Sequence, residues 1–136
     1  MPSSAVRLWR GKRTNDPATI KPWFLPGSPG FEIVPELQPR EDEAVIDKIT
    51  FSAFEGTPLS IILRDLGLTS FAICGVATEI GIEPHGADLG LVPLVIKDAC
   101  GAGHAEAAER SFANIAFMGD ALICQSDEFV AATQQT

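Results

Sequence analysis

The stretch SFAICGVATEIGIEPHGADLGLVPLVIKDAC, residues 70–100, decides the fold. Near its two ends, SFAIC (70–74) and VPLVIK (92–97) are continuous apolar runs set off by glycine. Their hydrophobicity does not alternate, so each is expected to be a strand buried on both faces. Between them, Thr78–Leu89 is expected to form a short helix, interrupted by Pro84 and ended by Gly90. Two strands joined through a helix make a parallel pair with a right-handed crossover.

The same alternation extends outward. Upstream, GTPLSIILRDLG (56–67) places Leu59, Ile62, Leu63 and Leu66 at i, i+3, i+4 and i+7, one apolar helix face. Thr57 suits the N-cap, Pro58 the first helical position and Gly67 the C-cap. AVIDKITF (44–51) follows a charged turn and predicts a strand near 43–48. Downstream, HAEAAERSFANIAF (104–117) predicts a helix with Phe112, Ile115 and Ala116 on one side. GDALIC (119–124) predicts a last short strand, and 126–132 a short helix. The expected fold class is α/β: three layers, α/β/α, around an open, mainly parallel sheet.

Residues 1–40 have a different texture. They hold seven of the ten prolines, and proline fixes φ and removes an amide donor. With LPGSPG (25–30) as a run of turn signals, this part is expected to be a looping basic arm. Its apolar Trp9, Trp23, Phe24, Phe31, Ile33 and Val34 are the expected anchors, and 41–136 is the expected α/β domain.

Composition narrows the function classes. A chain of 136 residues, 46% hydrophobic and 21% charged, is one globular domain and not a disordered segment. No apolar run approaches the roughly 20 residues of a membrane helix, and no signal-peptide core follows the basic N-terminus. Three cysteines, Cys74, Cys100 and Cys124, are an odd number in apolar surroundings. That pattern suits reduced thiols and a cytoplasmic location. Residues 1–30 carry Arg7, Arg10, Lys12, Arg13 and Lys21 against Asp16 alone, a net +4. The remainder therefore carries −12 of the total −8. An acidic body argues against nucleic acid as the partner, because neutralising phosphates takes clustered Lys and Arg.

In open α/β sheets, ligands bind beyond the carboxyl ends of strands. Three segments qualify: Lys48 with the two residues after it, Gly75–Glu79, and Asp98–Gly103. Lys48 would put an ammonium at the mouth of the sheet. The turn at 75–79 would supply backbone amides that favour developing negative charge.

These residues carry a family resemblance. KITFSAFEGTPL (48–59), GVATEIGI (75–82) and DACGA (98–102), in this order and spacing, resemble the isochorismatase-like cysteine hydrolases. The likeness runs from about Pro26 to Phe129, and PGSPGFEIVPEL (26–37) fits it too. The resemblance implies hydrolysis of a small amide, ureido or vinyl-ether substrate, no cofactor, and a homo-oligomer. By the same resemblance Lys48 is the catalytic lysine. The backbone at Val76, Ala77 and Thr78, often with a cis peptide, is the oxyanion or substrate-binding element. Phe54 is pocket wall or core.

Three departures follow. Gly81 stands where the family has its nucleophilic cysteine, and glycine cannot form a thioester. Nothing matches the family's acid-bearing first strand. Asp16 lies in a polar turn, and Ala5–Trp9 would be only a makeshift strand because of Arg7. The segment after Pro84 is about one helical turn shorter than in the family. The chain is therefore expected to lack the first βα unit. Two functions remain: an impaired or altered hydrolase, or a non-catalytic, truncated member serving as an assembly subunit.

The other reactive side chains have plainer expected roles. Cys74 and Cys124 are packing residues, and Cys100 has no histidine or carboxylate positioned to activate it. His85 and His104 lack metal-ligand spacing, so no metal site is expected. His104 is expected at the surface or as a helix cap. Asp98 is expected to accept amides from the turn that follows it. GAG (101–103) is too short to be a phosphate loop.

Overall fold

The computed structural model describes residues 27–48, 50–82 and 87–134. The chain divides into two compact units, Met1–Ile49 and Thr50–Thr136. Pro84, His85, Asp16 and the stretch Ala5–Trp9 lie outside the described residues.

In the first unit, Phe31 donates its amide to the Ser28 carbonyl at 2.9 Å, closing the turn that the proline–glycine run foretells. A short 3₁₀ turn follows at Pro35–Leu37. Arg40 pairs with Asp42 and Glu43 at 3.3 and 3.4 Å. These are exposed pairs of small energetic weight. The strand expected near 43–48 is not there: residues 44–48 carry no ladder pairing, and Val45 is 60% exposed. High β-propensity makes a strand only where a neighbour completes its hydrogen bonds.

The second unit holds three α-helices, a π-helical turn, a 3₁₀ turn and three strands in its described residues. Helix α1, Leu59–Asp65, is preceded by Thr57, whose hydroxyl accepts the Leu59 amide at 3.3 Å and donates to the Ala53 carbonyl at 2.5 Å. Pro58 is the N-cap itself, one position earlier than expected. The helix stops at Gly67, where φ is +68°. The Gly67 amide bonds the Arg64 carbonyl at 2.9 Å and the Leu68 amide bonds that of Leu63 at 3.0 Å, a Schellman closure.

The sheet runs β1-β2-β3, with β1 Ser70–Val76, β2 Val92–Gly101 and β3 Leu122–Cys124, all parallel. Ala72 pairs with Leu94 and Leu94 with Leu122. A register shift between Ile73 and Gly75 carries Gly75 to Cys100 and Val76 to Gly101. Helix α2, Ala105–Met118, lays Ala108, Phe112 and Ile115 over Val95 and Ile82 to form the core. Ile73, Cys100, Ala121 and Ile123 pack around it. His104 precedes α2 without a side-chain cap bond, so it is a surface residue. Helix α3, Ser126–Thr133, starts from a capping box in which the Gln125 amide bonds Glu128 Oε2 at 2.8 Å.

The parallel α/β architecture is as expected, but the burial of β1 is not. Its residues alternate between exposed and half-buried, and Val76 is 81% exposed. Only β2, flanked on both sides, has fully buried positions such as Val95 at 0%. β1 has a single neighbour among the described residues, and the face with Ser70, Ala72, Cys74 and Val76 is exposed.

Candidate functional site

β1 ends at Val76, and the Val76–Ala77 peptide is cis. A single π-helical turn, Thr78–Ile82, follows. The Ala77 carbonyl accepts three amides, from Ile80 at 3.0 Å, Gly81 at 2.8 Å and Ile82 at 3.4 Å. One oxygen thus gathers the turn, and those three donors are already committed.

Thr78 is fully buried, and its hydroxyl donates to the Gly101 carbonyl at 2.9 Å. That bond ties the turn after β1 to the end of β2. Gly101 must be small: a Cβ there would lie 2.8 Å from Val76 Cγ1. Two of the three quoted motifs, GVAT and DACGA, are therefore one contact surface. The third reaches the same turn from the other side. A Cβ on Gly81 would lie 3.5 Å from the Phe51 carbonyl, ordinary van der Waals distance, with nothing else closer than 4 Å. The position offers room for a side chain that the sequence does not supply.

Phe54 packs edge-on against Phe71 of β1, with ring centroids 5.4 Å apart and planes at 74°. That geometry packs Phe54 against β1. Lys48 is exposed and belongs to the first unit. Glu79, which drew no attention in the sequence, sends its carboxylate toward Gly103, and its Oε2 is buried without a hydrogen-bond partner among the described residues. The signal was present in principle: a carboxylate between two buried positions, Thr78 and Ile82.

The remaining reactive groups serve structure. Asp98 accepts the Ser126 amide at 2.8 Å and the Ser126 hydroxyl at 2.5 Å, so besides the backbone amides of Asp98 and Ala99 it holds the start of α3. The hydroxyl bond, followed by backbone amides, holds its carboxyl below the usual range. Cys100 donates to the Ile96 carbonyl at 3.1 Å. Burial, then the neighbouring Cys74 and Asp98, push its thiol up, which keeps it protonated and a poor nucleophile. Cys74 is exposed rather than packed, and Cys124 is half-buried. A cavity of about 440 Å³ lies beside β2 and α2, but Lys97 within it is engaged by Glu109 at 3.1 Å and by the Phe112 ring at 4.9 Å. Among the described residues no group of three His, Cys, Asp or Glu side chains is placed to hold a metal ion. No described helix is long and apolar enough to cross a membrane.

Comparison with known proteins agrees with this arrangement. The model of the isochorismatase domain matches residues 5–127, most of the chain. The chain belongs to the isochorismatase family. Ureidoacrylate amidohydrolase RutB of Acinetobacter baylyi is 35% identical over 89 residues, covering 62% of this chain and 36% of that protein. The crystal structure of a hydrolase of the isochorismatase family from Chromobacterium violaceum superposes with a TM-score of 0.75 at 31% identity, over 82% of this chain and 65% of that one. An isochorismatase-like hydrolase from Alkaliphilus metalliredigens, at 22% identity and a TM-score of 0.75, shares the fold over 88% of this chain and 68% of its own. The chain thus spans a little over a third of RutB and about two thirds of these solved structures. The Val76–Ala77 peptide is cis, as the family resemblance leads one to expect.

Proposed function

We propose that the chain binds a small amide, ureido or vinyl-ether compound against the Val76–Gly81 turn and, of these, hydrolyses the vinyl ether, without a covalent thioester. The single observation carrying this reading is the glycine at 81: the turn is built, with room at the nucleophile's place, but no thiol stands there. Amide cleavage in the family needs that thiol. A vinyl ether does not. There a general acid protonates the alkene carbon, water adds to the resulting cation, and the hemiketal collapses to a carbonyl compound and an alcohol. Lys48 supplies positive charge for an anionic substrate. The backbone of Val76, Ala77 and Thr78 is left to hold the substrate, since the amides of residues 80–82 already serve the Ala77 carbonyl. The acid lies outside the three motifs. RutB acts on ureidoacrylate by its name, which keeps ureido compounds in the panel.

The test is turnover of isochorismate, nicotinamide and ureidoacrylate by the wild-type chain and by Lys48→Ala. The expected result is slow cleavage of the vinyl ether alone, no covalent adduct by mass spectrometry, and activity reduced in Lys48→Ala. Equal activity in that variant removes Lys48 from the mechanism. A folded chain that turns over none of the three favours the second reading, a non-catalytic assembly subunit, which the missing thiol also supports.

A further inference from the structure

The ladder between β1 and β2 breaks just before the turn, and one thiol spans the break. β1 advances by two residues from Ile73 to Gly75, while β2 advances by five from Val95 to Cys100. β2 therefore bulges over residues 96–99. Ile96, where the bulge begins, still pairs with Cys124 of β3. Cys100, where it ends, donates its thiol to the Ile96 carbonyl at 3.1 Å. The same sulfur accepts the Gly75 amide from β1. Gly75 itself has φ +107°, a conformation that a side chain would strain, so β1 bends at the same place.

The contacts that fix the turn follow directly. Gly101, next after Cys100, pairs with Val76 and leaves no room there for a Cβ. Its carbonyl holds the Thr78 hydroxyl at 2.9 Å. A thiol is only a weak donor and acceptor, but here one sulfur serves both strands at once. Burial raises its pKa, so the donated proton is kept at neutral pH. We infer that Cys100 is a positioning residue: its sulfur clasps the bulge of β2 to Gly75 and so sets where Gly101 holds Thr78 and the Val76–Gly81 turn. Its effect on turnover passes through Thr78 and rests on the hydrolase reading of the turn. The clasp itself does not.

Amide exchange at residues 75–82 and turnover of isochorismate test it, in wild type, Cys100→Ala, Cys100→Ser and Ile115→Val. In Cys100→Ala, exchange at Ile80, Gly81 and Ile82 should quicken about 2- to 10-fold, the worth of one hydrogen bond, with α1 unchanged. KM should rise by a similar factor with kcat within about twofold, because the turn still forms but is held less firmly. Cys100→Ser keeps a donor and an acceptor and should recover most of both effects. Ile115→Val thins the core that Cys100 packs against without touching the clasp, and should move neither. Unchanged exchange in Cys100→Ala overturns the assignment. So does a Cys100→Ser no nearer to wild type than Cys100→Ala, or an equal change in Ile115→Val. The expected exchange pattern in a chain that turns over no isochorismate upholds the clasp and removes the hydrolase reading. Should Cys100→Ala not fold, the infrared S–H band of the wild type decides. A hydrogen-bonded component that is lost in Cys100→Ser supports the clasp, and its absence overturns it.

Discussion

At the scale of single residues, Thr78, Glu79 and Gly81 divide the labour of one turn. Thr78 fixes its position. Replacing it by valine keeps the shape but strands the half-buried Gly101 carbonyl, at a cost of about 1–3 kcal/mol. Urea denaturation should show that loss for Thr78→Val and little of it for Thr78→Ser, which keeps the hydroxyl. Glu79 is the opposite case, because its buried Oε2 has no donor among the described residues. Glu79→Gln puts a neutral amide where a carboxylate is buried, and thermal unfolding should shift upward by the equivalent of about 1 kcal/mol. A lower melting temperature would mean that Glu79 finds a donor in solution. Gly81 has no left-handed φ, and a Cβ there meets only the Phe51 carbonyl at 3.5 Å. Gly81→Cys should therefore fold with wild-type stability to within about 0.5 kcal/mol. Thiol titration should find one further accessible sulfur in it.

At the scale of elements, most of the order was legible and the burial was not. The periodicity of 56–67 and the glycine after it specify a helix and its Schellman end, because both depend on local chemistry. VPLVIK is a buried strand as its composition says, since β2 has partners on both sides. SFAIC has the same composition and a half-open environment. An apolar run records what a strand tolerates, not which neighbours are present. AVIDK fails as a strand for the same reason. In the site, the order of the motifs announced the meeting of 51, 75–82 and 98–103. The convergence of three amides on Ala77 leaves no sequence mark, because any residue carries a carbonyl. Asp98 links two elements, β2 and α3, through Ser126. Its folded pKa lies below the unfolded value of about 3.9. The contribution is therefore present above about pH 4 and disappears as pH falls through the folded value. Asp98→Asn should be less stable than wild type at pH 7, with the two denaturation midpoints converging in acid. A gap that is unchanged at low pH would mean that the carboxylate's charge plays no part.

At the scale of the whole molecule, the small buried core limits what the chain tolerates. Among the described residues, the buried apolar side chains are Ile82, Val95, Ile96, Ala108, Phe112 and Ile115, while large ones such as Leu66, Phe117 and Leu122 stand exposed. Small domains keep only about 5–15 kcal/mol of net stability, so each buried side chain carries a large share. Ile115 sits at 0% exposure where α2 meets the sheet, packed in one cluster with Val95 and Phe112. Removing its three outer carbons loses their transfer energy and leaves a cavity, about 2–5 kcal/mol together. That is enough to abolish cooperative unfolding near room temperature if the starting stability lies at the low end. Val130, about half exposed on α3, tests whether the effect is one of burial rather than of apolar content. Val130→Ala should stay within about 0.5 kcal/mol of wild type. Guanidinium denaturation followed by circular dichroism should separate the two variants by more than about 1.5 kcal/mol. Equal midpoints would mean that the α2–sheet contact does not limit stability, and that the chain draws its stability from elsewhere.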